Sequence, residues 1–126
     1  MERKKNNSLT RGEEEIMQIL WSLGEANVGG IIKQMEEPKP AYTTVATFMK
    51  IMEDKGFVAR KPTGRSFTYY PLVEKEAYAG RMLQSMINGY FGGSPVQLVS
   101  FYAETGAGFS QEQIAELEEI IRNAKE

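Results

Sequence analysis

Apolar positions along the chain change their period twice. Ile16, Ile19, Leu20 and Leu23 fall at i, i+3, i+4 and i+7, the spacing that lays one stripe along an α-helix. Ahead of them Thr10-Arg11-Gly12-Glu13 has the Thr-x-x-Glu form of a capping box. Glu13, Glu14 and Glu15 stand near the positive end of the helix dipole, and Gly24 is a suitable stop. The pattern predicts a first helix over residues 11–23. Ile31, Ile32 and Met35 predict a second, short one that Pro38 and Pro40 cannot prolong, with Gly29-Gly30 as weak helix chemistry at its start. Val45, Phe48, Met49 and Met52 predict a third, capped by Thr43 or Thr44 and ended by Gly56. Its other face carries Thr43, Thr44, Thr47, Lys50 and Asp54.

The pattern then turns to strands. Residues 57–61 and 65–72 flank Lys61-Pro62-Thr63-Gly64, where Pro in second place and Gly in fourth suit a type I turn closing on a left-handed Gly. This predicts two antiparallel strands with a basic tip. Beyond Val73 only helical patterns remain. Tyr78, Met82, Leu83, Met86 and Ile87 mark a helix over residues 75–88, broken by Gly89, Gly92 and Gly93. Ser94-Pro95-Val96-Gln97 supplies a cap, a Pro at the first helical position and a Gln to close the box, ahead of Leu98, Val99, Phe101 and Tyr102. Ser110 and Gln113 repeat the device before Leu117, Ile120 and Ile121. The fold class is therefore mostly α with a small β-hairpin. Three helices followed by a hairpin give a winged helix-turn-helix domain over residues 1–73, and a helical domain occupies residues 74–126.

Composition removes most catalytic chemistry. The 126 residues, 41% of them apolar, suit one domain or one with a small appendage, and argue against disorder of the whole chain. With no His and no Cys there is no thiolate or imidazole zinc site, no disulfide and no histidine acid or base. No metal site and no cofactor are expected, and no set of side chains converges as an enzyme's would. Glu13 to Glu15 point around a helix, Tyr69-Tyr70 reads as strand packing, and Trp21 reads as core. The charged start, Met1 to Asn7, leads into no apolar run fit for a signal peptide or a membrane insertion, so a soluble cytoplasmic protein is expected.

Charge restores a function that the net value hides. The chain is −2 overall, but residues 1–73 hold 11 basic and 9 acidic side chains, a net of +2, against 4 and 8, a net of −4, in residues 74–126. Local charge decides whether a surface can approach phosphates. In the winged-helix plan the third helix enters the major groove of double-stranded DNA, where Thr43, Thr44 and Thr47 can meet base edges and Lys50 a phosphate. Arg60, Lys61 and Arg65 cluster at the hairpin tip, where a wing touches the backbone.

Leu9-Thr10 with Glu13, Glu15, Met17 and Leu20-Trp21, then Thr44-Val45-x-Thr47, Lys55-Gly56 and Gly64-Arg65-x-Phe67-x-Tyr69-x-Pro71, followed by Phe91-Gly92-Gly93-Ser94 and the acidic tail, together resemble the BlaI/MecI family of bacterial repressors. The resemblance implies a homodimeric transcriptional repressor, each subunit placing one winged helix on half of a palindromic operator. It implies that Thr43, Thr44 and Thr47 read bases while Lys50, Lys61 and Arg65 hold phosphates. It also gives the surplus apolar residues Leu83, Met86, Ile87, Phe91, Leu98, Phe101, Leu117 and Ile121 a role, because the family's C-terminal region interlocks with its mate. In the β-lactam-resistance branch a membrane-embedded sensor metalloprotease relieves repression by cutting this region, and the corresponding bond is Ser100–Phe101. Copper-responsive relatives carry paired cysteines, which this chain lacks. Two other readings stay open, a ligand-responsive winged-helix regulator of the MarR or PadR type and a winged helix used purely to bind proteins.

Overall fold

A computed structural model describes residues 8–124; the charged start at 1–7 and the last two residues lie outside the described residues. The chain divides into two compact units, the first ending at Ala79 and the second starting at Gly80. Helix α1, Arg11–Leu23, begins with the expected capping box, in which the Thr10 hydroxyl accepts from the Glu13 N–H and the Glu13 carboxylate accepts from the Thr10 N–H. Gly24 closes it at φ 87°. Helix α2, Val28–Lys33, is capped by Asn27, whose side chain accepts from the Gly30 N–H at 2.7 Å. That bond offsets the poor propensity of Gly29-Gly30. The Lys39 ammonium donates to the carbonyls of Ile32, Lys33 and Met35, tying the connection to the end of α2.

Helix α3, Tyr42–Lys55, starts earlier than its threonines suggest. Its N-cap is Ala41, which has no side-chain oxygen to offer, and Thr43 and Thr44 lie inside the first turn. The Ala41 carbonyl accepts from both Thr44 and Val45, so the helical ladder already includes the threonines and leaves their side chains for the surface. Gly56 ends the helix in the left-handed region, at φ 88°, as expected. Strands β1, Val58–Thr63, and β2, Ser66–Pro71, pair antiparallel from Val58 with Pro71 to Thr63 with Ser66. The turn is therefore Thr63-Gly64-Arg65-Ser66, two residues further on than the expected Lys61-Pro62-Thr63-Gly64. Gly64 has φ 61° and no non-glycine residue described has positive φ, the pattern of a two-residue II′ hairpin, which fits strand twist better than a type I turn. Ala26 adds a bridge on the far side of β2, exchanging both backbone bonds with Tyr69. This third strand position carries no periodic signal because it is one residue long.

Ile16, Met17 and Leu20 of α1 meet Ile31 of α2, Val45, Met49 and Met52 of α3, and Val58 and Tyr69 of the hairpin in one core. Helix α4, Lys75–Tyr90, contributes Tyr78 to that core. Its ring lies 6.0 Å from Trp21 and 5.7 Å from Phe57, and its hydroxyl accepts from the Leu9 N–H. The first unit therefore extends past Val73 into the first turn of α4. Trp21 is half-buried, its indole N–H donating to the Val73 carbonyl at 2.8 Å.

The second unit holds the rest of α4, then α5, Pro95–Thr105, and α6, Gln111–Asn123. Gly89 does not break α4; Gly92 and Gly93, at φ 60° and 78°, do. Ser94 caps α5 by accepting from the Gln97 N–H, but no reciprocal bond from Gln97 forms, because the Ser94 N–H already donates to the Phe91 carbonyl. Ser110 and Gln113 do complete the box that opens α6.

The two ends of α1 and α3 are joined by an ion pair that neither pattern shows. Glu13, 2% exposed, receives the Lys55 ammonium at 2.7 Å. Burial on its own would raise the carboxyl's pKa; the hydrogen bonds from Lys55 and Thr10 and the charge of Lys55 outweigh it and hold the value below the ordinary carboxylate range. A folded-state pKa depressed in this way gives stability that is present above the unfolded value of about 4.3 and is lost as pH falls through the folded value. Urea midpoints measured from pH 6 downward should drop across that window in the wild type and drop less in Glu13→Gln. Lys55→Ala should cost about 3 kcal/mol at pH 7, since it leaves a buried carboxylate without its cation.

Candidate nucleic-acid interface

The core pulls Val45, Met49 and Met52 inward, so the opposite side of α3 is committed to solvent. Thr43, Thr44, Thr47 and Lys50 are all exposed on it, as the sequence pattern places them. The Thr47 hydroxyl donates to the Thr43 carbonyl at 2.9 Å, leaving an acceptor oxygen and a methyl group facing outward. Tyr42 is also exposed, at the first position of the helix, and belongs to no apolar repeat that would mark it in the sequence. Asp54 is exposed and closes this face at its C-terminal end, where its charge opposes any phosphate running further along the helix.

The hairpin cations differ from one another. The Arg60 guanidinium pairs with Glu53 at 3.5 Å and lies 4.3 Å from the centre of the Phe67 ring. The Lys61 ammonium pairs with Glu25 at 3.1 Å and stands 5.9 Å from the centre of the Tyr70 ring. Arg65, at the turn, and Lys50, on α3, have no ion pair among the described residues. Of Lys50, Arg60, Lys61 and Arg65, these two keep their charge unshared with a carboxylate. Pairing by Glu25 and Glu53 had no local signal, since both acids come from elements distant in sequence.

The second unit presents a different surface. No residue of α5 or α6 is buried. Leu83, Met86, Phe101 and Ile121 are exposed, Phe101 to 54%, while Phe91, Leu98 and Leu117 are half-buried. Ile87 is buried within the chain and has little surface left to offer. Met86, Tyr90, Phe91, Gln97, Ser100, Phe101 and Glu104 line an open groove of about 700 Å³, its floor set by Phe91 and Phe101 with ring centres 5.3 Å apart. Among the described residues no group of His, Cys, Asp or Glu could hold a metal ion, and no helix is long and apolar enough to cross a membrane.

This architecture has relatives. A family model described as penicillinase repressor matches residues 9–123. The chain belongs to the penicillinase repressor family. It is a family of repressors. The methicillin resistance regulatory protein MecI of Staphylococcus aureus strain N315 is 30% identical over 118 residues, covering 93% of this chain and 95% of that protein. The penicillinase repressor of Bacillus licheniformis is 25% identical over 123 residues, covering 97% and 95%. The solution structure of the DNA binding domain of the repressor BlaI aligns with a TM-score of 0.51 and 25% identity, over 60% of this chain and 94% of that domain. The structure is mostly helical with a two-strand hairpin, as expected from the sequence, and its likeness to that DNA binding domain covers 60% of the chain.

Proposed function

We propose that this member of the family is a sequence-specific DNA-binding repressor that acts in the cytoplasm as a homodimer on a palindromic operator. The observation that carries the reading is the exposed α3 face, Thr43, Thr44, Thr47 and Lys50, in one unit with the outward charge of Arg65 at the wing tip. In this reading α3 enters the major groove, the threonines meet base edges, and Lys50 and Arg65 hold phosphates. Arg60 and Lys61 join them by exchanging Glu53 and Glu25 for phosphate oxygens, an exchange that costs little because exposed ion pairs are worth about 0–1 kcal/mol. A second copy covers the apolar surface of the second unit, and the two-fold axis sets the half-sites about one helical turn, or a multiple of it, apart. Family membership favours this reading over a ligand-responsive or purely protein-binding winged helix.

Release follows from cleavage at Ser100–Phe101 by a membrane-embedded sensor metalloprotease. Both residues are exposed, but they lie within α5, so the helix must unwind locally before a protease can take the bond in extended form. Cutting there separates α6 and the end of α5 from the rest of the dimer surface.

Three measurements test the parts separately. Arg65→Ala should weaken binding to every duplex and lower the slope of log K against log salt by about one, whereas Glu25→Gln with Glu53→Gln should tighten binding by freeing two cations. Binding that ignores salt and treats the promoter region and random duplex alike overturns the DNA reading. Ultracentrifugation at micromolar concentration should give a dimer that Leu83→Glu with Phe101→Glu converts to monomer, and a wild-type monomer removes the role given to the second unit. Cells in which the regulated genes have turned on should contain a fragment ending at Ser100; full-length protein alone rules out release by this cut.

A further inference from the structure

The exposed side of α3 is not uniformly polar. Along one edge Thr44, Thr47, Phe48 and Ile51 follow at i, i+3, i+4 and i+7 and line a shallow hollow of about 300 Å³. Ile51 is 40% exposed and stands outside the core cluster, so folding of the first unit does not account for an aliphatic residue there. Phe48 is half-buried, its inner side packed on the core. The Thr47 proton is committed to the Thr43 carbonyl, and the Ile51 side chain and the Phe48 ring make the walls of the hollow mostly apolar. Lys50, one turn from Thr47 and without an ion pair among the described residues, supplies positive charge beside it.

In the major groove only thymine presents an apolar group, its C5-methyl, whereas adenine, guanine and cytosine offer donors and acceptors alone. An exocyclic amine pressed against Ile51 and Phe48 would lose water and gain no hydrogen bond from either, whereas a methyl group gains contact with both. Resting on the DNA reading above, we propose that the hollow reads thymine through its C5-methyl group, with Ile51 and Thr47 as the residues that determine specificity and Lys50 holding the helix against the neighbouring phosphate. The occupant is thus a base edge of duplex DNA, for which the adjacent cation is complementary and to which a protein or lipid partner would add nothing that the hollow's size requires.

The full-length protein is used to select duplexes from a random pool, and each thymine of the selected sequence is then replaced singly by deoxyuridine. That change removes the methyl group and leaves base pairing intact. Loss of one buried methyl should weaken binding about fourfold at the position in each half-site that meets a hollow and leave the other positions unchanged. Thr47→Ser keeps the hydroxyl and its bond to Thr43 but loses the wall methyl, and Ile51→Ala opens the hollow. Both surface variants, with folding checked by thermal melting, should bind the thymine duplex more weakly and show a deoxyuridine penalty below twofold. If a sequence is selected yet every deoxyuridine duplex binds as tightly as its parent, or the penalty survives in both variants, the methyl reading is overturned while DNA binding stands. If no duplex is selected over random, both fall.

Discussion

A carboxylate taken out of water must find partners or give up its charge, and Glu13 finds them on two separate elements. Its oxygen accepts from the Thr10 backbone at the start of α1 and from the Lys55 ammonium at the last residue of α3. One group therefore ties the start of α1 to the end of α3. With both ends tied, the packing of Ile16, Leu20, Val45 and Met49 is reinforced, since turning α3 about its axis would drag Lys55 away from its partner. The outward presentation of Thr43, Thr44, Thr47 and Lys50 is the other side of that constraint. The ion pair and the apolar stripe thus favour the same face of the helix.

Much of this was legible from period and punctuation. The capping boxes at Thr10 and Ser110 and the stop at Gly56 depend on residues within one turn of each other, and local chemistry was enough to place them. The misplaced features depended on backbone groups that no pattern displays. Thr43 and Thr44 look like caps, yet the chain enters the helix at Tyr42 because the Ala41 carbonyl is already accepting from residues beyond it. Gln97 looks like the second half of a box, yet the Ser94 N–H is occupied by Phe91. Lys61-Pro62-Thr63-Gly64 looks like a turn, yet strand twist prefers the tighter Gly64-Arg65.

The candidate site divides in the same way. Exposure of the α3 threonines follows from the apolar stripe opposite them, so the stripe alone was sufficient to find them. What the hairpin cations are paired with is tertiary information. Arg60 with Glu53, and Lys61 with Glu25, bring together residues from different elements, and only the fold shows that a basic tip read as three equal charges consists of two shared ones and one outward one. Ile51 was passed over for a related reason, because an apolar residue just off the core stripe is ordinarily ascribed to the core.

The two units stand in opposite positions with respect to burial. The first closes a core of side chains from every one of its elements and leaves no buried side-chain polar atom unpaired among the described residues. In the second, Ile87 is buried, while α5 and α6 bury nothing and expose residues as large as Phe101, Tyr102 and Ile120. Helices of 11 and 13 residues are marginal in water on propensity alone and draw most of their stability from a packed apolar face. On the proposed reading that face is completed by a second copy, so assembly and folding of the second unit are one process, and its stability depends on protein concentration. On the same proposed reading, cleavage in α5 would act on a part of the chain that buries none of its own residues. The winged helix, whose core is complete without it, would remain folded but single, and a single half-site contact lacks the effective concentration that a linked pair provides. Repression would end without unfolding of the DNA-reading unit.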